Sequence, residues 1–158
     1  MAASEEWLSK LNEFIARASI AEKDSCQKRN PVRYSLLVID DDRIIRETLS
    51  QVFSERYECD TADRAEQALE CIDFQHYDAI ITDISMPGVG GLQILRRIQA
   101  RHIATPVIII SGNGDEFRDL FMEMGAFAYF TKPFHLEDLE LAIGQAIASN
   151  ERFNTMRD

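Results

Sequence analysis

Three consecutive aspartates, Asp40, Asp41 and Asp42, follow the apolar run Ser35 to Ile39 in "SLLVIDDDR". Like charges side by side repel and resist desolvation. A helix start explains one or two of them, because carboxylates suit the positive end of a helix dipole. All three at the mouth of a strand point to a positive partner, most simply a divalent cation held by oxygen ligands. Further along stand Asp83 in "ITDISMPGVGG", Ser111 in "IIISGNG" and Lys132 in "TKPF". Each has an ordinary role when taken singly. Asp83 can cap the turn before "MPGVGG", Ser111 can bond its own backbone at a strand end, and Lys132 can sit on a surface Lys-Pro turn. Gathered on one edge of a fold, these carboxylates, the hydroxyl and the amine would form a pocket for a metal and a phosphoryl group.

The elements that must gather them are legible from residue 34 onward. Short runs rich in β-branched and aromatic residues alternate with segments of helical period, the signature of βα units on a parallel sheet. The predicted strands are Ser35 to Ile39, Tyr57 to Thr61, Ala79 to Thr82, Val107 to Ile110 and Phe127 to Phe130. Their continuous apolar character suits strands covered on both faces. Between them lie helical stripes: Ile45, Thr48, Leu49 and Val52; Ala65, Ala68, Leu69 and Ile72; Leu92, Leu95 and Ile98. Phe117, Leu120, Phe121 and Met124 follow, then Leu136, Leu139, Ile143, Ala146 and Ile147. A doubly wound sheet of this kind binds ligands beyond the carboxyl ends of its strands. Asp40, Asp41, Asp83, Ser111 and Lys132 all fall on that edge.

Composition sets the outer bounds. A chain of 158 residues, 46% of them hydrophobic, buries one core and makes one domain plus appendages. No apolar run is long enough to span a bilayer, and "MAASEEWLSK" lacks the layout of a signal peptide, so a cytoplasmic chain with no membrane partner is expected. Cys26, Cys59 and Cys71 form no CxxC pair, which predicts reduced thiols and neither a metal site nor a disulfide framework. The net charge of −10 argues against direct contact with nucleic acid.

The residues quoted above, with Tyr129 in "GAFAYF", resemble a receiver domain of the two-component response-regulator family, over residues 34 to 150. The resemblance is to the stand-alone, chemotaxis-regulator-like type. It implies a flavodoxin-like five-stranded sheet of order 2-1-3-4-5 with five helices. It further implies that Asp83 accepts a phosphoryl group from a phosphohistidine on a sensor histidine kinase or histidine phosphotransfer protein. The implied cofactor is Mg²⁺, held by Asp41, Asp83 and the backbone carbonyl of Ser85, with Asp40 acting through water. Lys132 and Ser111 would steady the transferred group, and Tyr129 would follow Ser111 inward as the switch. Helix four, strand five and helix five would then show an altered face to a downstream protein. Asp42 is left to start a helix, and Lys132-Pro133 is expected to be cis. The histidines, His76, His102 and His135, match no kinase motif and are read as surface residues, and Phe134 as packing.

Both ends depart from the minimal family pattern. Over residues 1 to 33, Ser4 can cap a helix whose stripe is Trp7, Leu11, Phe14, Ile15 and Ala18, and "EKDSCQKRNP" reads as a polar linker. The stripe is expected to dock on the receiver or to make a homodimer, and the linker disfavours a tightly integrated core helix. Residues 151 to 158 read as a tail too short for an output domain. The expected chain is therefore a phosphoryl acceptor that catalyses only its own phosphorylation and dephosphorylation. The alternatives are the receiver fragment of a longer transcription regulator, or a Mg²⁺-dependent phosphohydrolase working through an aspartyl phosphate. The chain lacks the DxDx[TV] nucleophile motif of the haloacid-dehalogenase type, which weighs against the phosphohydrolase.

Overall fold

In the computed structural model the described residues are 8–13, 16, 33–86 and 90–156. In chain order the elements are β1 (Ser35–Ile39), α1 (Arg43–Phe53), β2 (Glu58–Ala62), α2 (Ala65–Phe74), β3 (Ala79–Asp83), α3 (Gly91–Ala100), β4 (Val107–Ser111), α4 (Arg118–Glu123), β5 (Ala128–Thr131) and α5 (Leu136–Thr155). A helical segment over residues 8–13 precedes them. The five strands form one sheet of order β2-β1-β3-β4-β5, and every pairing is parallel. This is the flavodoxin-like strand order.

Side chains alternate across a strand, so each strand feeds two cores. Leu37, Ile39, Ile80, Val107 and Ile109 pack with α2, α3 and Phe121 of α4 on one face. Leu36, Val38, Ile81, Ile108 and Ile110 pack with α1 and α5 on the other. Every residue of β3 and β4 is buried as a result. The register brings the carboxyl ends level: Ile39 pairs with Thr82, Asp83 with Ile110, and Ser111 with Thr131.

Four features depart from the sequence expectations. β3 and β4 each run one residue further, through Asp83 and Ser111, because a polar side chain ends the hydropathy signal while its backbone still pairs. β2 and β5 are likewise displaced by one residue, to Glu58–Ala62 and Ala128–Thr131. The expected α4 stripe is thin: Phe121 is buried, whereas Phe117 and Leu120 are exposed, since this short helix covers only the edge of the sheet. Leu11 is only 2% exposed and belongs to the α1/α5 core, with Leu8 packed beside it. The segment docks on the receiver, one of the two expected outcomes, but Leu11 reaches the core that the polar linker was read as disfavouring, because one leucine side chain can enter a core whatever connects it. Trp7, Phe14, Ile15, Ala18, Ser4 and the polar linker lie outside the described residues, as does Cys26.

The expectations for the histidines and for Phe134 hold. His76, His102 and His135 are exposed. Phe134 packs against the α1/α5 core, with its ring 6.0 Å from that of Phe130. Cys59 and Cys71 are free and half-buried. Burial, with Asp60 close by, pushes the Cys59 thiol up to about 11, which disfavours the thiolate at neutral pH. Among the described residues no helix is long and apolar enough to cross a membrane.

Truncating a core leucine removes both its burial and its packing, so Leu11→Ala should lower unfolding free energy by about 2–5 kcal/mol. Urea denaturation measures this directly. A loss below about 0.5 kcal/mol, the range of an ordinary surface change, would show that the amino-terminal segment does not share the core.

Candidate functional site

The strand ends deliver the site. Asp40 is the residue after β1, and its N–H donates to the carbonyl of Ala62 across the sheet at 3.2 Å. Its carboxylate is fully buried. Oδ1 accepts from the Asp42 N–H at 2.9 Å, and Oδ2 accepts from Lys132 Nζ at 3.0 Å. The same ammonium donates to Asp83 Oδ2 at 3.2 Å. Asp83 closes β3, is 5% exposed, and takes the Ser85 N–H on Oδ1 at 3.0 Å. Asp41 lies beside them and is exposed. Asp40, Asp41 and Asp83 each offer a carboxylate oxygen within 4.8 Å of the others, a group that can hold a metal ion.

The third aspartate has its own task. Asp42 is the N-cap of α1, accepting from Ile44 N at 2.9 Å. The opening triplet is thus divided, with Asp40 and Asp41 in the cluster and Asp42 on the helix.

Ser111 ends β4 beside the cluster, where its carbonyl accepts from the Lys132 N–H at 2.7 Å. Its hydroxyl accepts from Asn113 N at 3.0 Å, and the Asn113 amide reaches over to Ser85 Oγ at 2.8 Å. The Lys132-Pro133 peptide is cis. Tyr129 is 4% exposed and donates its phenol to the Gly114 carbonyl at 2.9 Å. Every site residue named from sequence therefore lies on this edge or leads into its loops.

Sequence reasoning passed over Asn113 and Arg46. Asn113 sits between two glycines just past Ser111, which is a usable signal. Arg46 donates to the Asp40 carbonyl at 2.7 Å. Being one helical turn past the Asp42 cap is its sole mark in sequence. Gly91 at the start of α3 has a further constraint: a Cβ there would lie 2.8 Å from the Asp83 carbonyl oxygen. Only glycine lets the helix start this close to the end of β3.

Electrostatically the cluster is short of positive charge. Burial, with Asp83 adding like-charge repulsion, pushes the Asp40 carboxyl up to about 6 even with Lys132 attached. Burial alone would depress Lys132, but Asp40 and Asp83 outweigh it and hold the amine above its ordinary value. Of the three carboxylates in the cluster, two, Asp40 and Asp83, share the Lys132 ammonium. An all-oxygen, electron-rich set of this kind fits a hard divalent cation better than a soft one.

Residues 36–144 match the family model of the response regulator receiver domain. The chain belongs to that family. NisR, the nisin biosynthesis regulatory protein of Lactococcus lactis subsp. lactis, is 34% identical over 122 residues, which cover 75% of this chain and 52% of NisR. The DNA-binding transcriptional regulator NtrC of Escherichia coli (strain K12) is 33% identical over 113 residues, covering 70% of this chain and 24% of NtrC. Among solved structures, a receiver domain protein from Clostridium thermocellum has a TM-score of 0.71 and 33% identity, covering 76% of this chain and 98% of its own. NtrX from Brucella abortus, in complex with ATP, has a TM-score of 0.74 and 29% identity over 80% of this chain and 29% of that one. This receiver chain thus spans about half of NisR and a quarter of NtrC.

The raised Asp40 value has a definite pH signature. The neutral carboxyl is the form the fold tolerates, so its contribution is complete below the ordinary value of 3.8 and is lost as pH rises through about 6. Without divalent cations, Asp40→Asn should therefore melt above the parent at pH 7.5, by an amount on the order of 3 kcal/mol at most. Near pH 4 the two should converge. Thermal melts in chelator across that range check this, and a gap independent of pH would refute the burial account.

Proposed function

We propose that the chain is a phosphoryl-accepting receiver in which Asp83 is the nucleophile. One observation carries this: a nearly buried carboxylate at the end of β3 shares an ammonium with Asp40 at 3.2 and 3.0 Å, beside the exposed carboxylate of Asp41. An Asp83 oxygen attacks the phosphorus of a phosphohistidine on a sensor histidine kinase or histidine phosphotransfer protein. The O–P bond forms as the P–N bond breaks, and the imidazole nitrogen leaves with the electron pair. Mg²⁺ bound by Asp41, Asp83 and the Ser85 carbonyl, with Asp40 behind a water, would neutralise the oxygens of the incoming group.

The protein's own residues do the remaining work. Lys132 balances charge on the transferred group, and Ser111 turns its hydroxyl from Asn113 toward a phosphoryl oxygen. Phosphorylation adds charge and strong acceptors, which favour the state with Ser111 and Tyr129 inward. The chain then catalyses only its own phosphorylation and dephosphorylation, and it acts by changing which protein it binds.

A second reading is that this receiver works as one part of a longer transcription regulator. The relatives NisR and NtrC, of which it covers 52% and 24%, support that reading. With a net charge of −10, any DNA contact would fall to another part of such a protein.

With Mg²⁺ and a small phosphodonor, the parent should gain one acid-stable, base-labile acyl phosphate, and Asp83→Asn should abolish it. Mass spectrometry reads this, and full labelling of the variant at another residue would sink the assignment. Separately, Asp41→Ala should weaken Mg²⁺ binding by about tenfold or more. Asp42→Ala should leave Mg²⁺ affinity nearly unchanged and lower stability by about 1 kcal/mol through the lost cap. Equal losses of Mg²⁺ affinity would refute the division of the triplet.

A further inference from the structure

Tyr129 is buried, and one side chain grips it from two directions. Arg118 Nη1 donates to the carbonyl of Tyr129 at 2.9 Å, and its guanidinium carbon stands 5.0 Å from the centre of the Tyr129 ring. Nε and Nη2 of the same guanidinium both donate to Asp115 Oδ1, at 3.0 and 2.7 Å. That oxygen also accepts from Thr131 Oγ1 at 2.9 Å, on the residue before Lys132. The Tyr129 phenol holds Gly114 at 2.9 Å, and Phe121 packs its ring 6.2 Å away. The β4–α4 loop, the first turn of α4 and β5 are thereby joined through Arg118.

Charge alone does not explain this arrangement. The Arg118 and Asp115 side chains are 42% and 70% exposed, and an exposed ion pair contributes little. What Arg118 adds is shape. A planar fork can chelate one oxygen, reach a second acceptor and present its face to an aromatic ring, which a lysine cannot do. The acceptor also matters: β5 is the edge of the sheet, so a carbonyl on its open side has no strand to pair with.

We propose that Arg118 is a positioning residue that stabilises the inward position of Tyr129 and so biases the resting equilibrium of the switch toward it. The inference rests on the receiver reading above, in which Ser111 and Tyr129 move together. A phosphoryl group can shift a two-state equilibrium only by its differential affinity for the two states. A chain already latched inward therefore has a high resting output and a compressed response. Releasing the latch lowers the resting state and widens the response.

The test uses the full chain with Mg²⁺, ¹³C-labelled tyrosine and beryllium fluoride as the phosphoryl mimic. Without beryllium fluoride, the Tyr129 ring of the parent should give a single buried environment that the mimic barely alters. In Arg118→Ala the ring should average between inward and outward positions and return to the buried environment when the mimic is added. The variant's affinity for beryllium fluoride should fall by about fivefold or more, with Mg²⁺ affinity unchanged. Arg118→Lys keeps the charge and should behave like Arg118→Ala, whereas a merely electrostatic role would be rescued by lysine. A Tyr129 ring unaltered in Arg118→Ala, or rescue by lysine, would overturn the proposal. If beryllium fluoride fails to bind the parent at all, the receiver reading falls, and the ring environment in Arg118→Ala still decides whether the latch exists.

Discussion

The structure turns on one half-buried ammonium. Lys132 donates to Asp40 at 3.0 Å and to Asp83 at 3.2 Å, and without it two nearly buried carboxylates would face each other in a poorly solvating interior. It arrives from the far side of the sheet, 92 residues from Asp40, so the pairing exists only once β1, β3, β4 and β5 are in register. The bridging amine is also incomplete compensation. Asp40 remains pushed up to about 6, and this leaves the cluster receptive to further positive charge.

Parallel strand order follows from the same requirement. A parallel sheet puts every carboxyl end on one edge, so residues scattered from Asp40 to Lys132 become neighbours without a long excursion of the chain. Burial on both faces holds that edge still. Leu37 and Ile39 are anchored under α2 and α3, and Leu36 and Val38 under α1 and α5. Asp40 therefore extends from a strand that cannot rotate about its own axis. Gly91 completes the frame by letting α3 start against the backbone of Asp83.

Much of this was legible because charge at a buried strand end is so unfavourable that it must have a purpose. Asp40, Asp41, Asp83 and Lys132 could be assembled from sequence on that basis, with the sheet order implied by resemblance to the family. Strand ends were misjudged by a residue wherever a polar side chain took the last pairing position, as at Asp83 and Ser111. Arg118 was invisible for a different reason. Its partners are a backbone carbonyl on β5, an aromatic face and a carboxylate three residues earlier, and only the folded loop brings them together. The docking of Leu11 was among the expected outcomes but its depth was not, because a polar linker says how a segment is attached, not where its side chains come to rest.

The burial of Leu11 links the two ends of the chain. It lies in the same core as Ile143, Ala146 and Ile147 of α5, so the first described segment and the last helix complete one hydrophobic layer between them. Contacts that span nearly the whole sequence close late, because the intervening chain must already be ordered. On a ribosome the segment bearing Leu11 emerges well before α5, so its leucine has no finished core to enter until α5 has been made. Its apolar side chains must meanwhile stay in water, where they are open to chaperones and to neighbouring nascent chains.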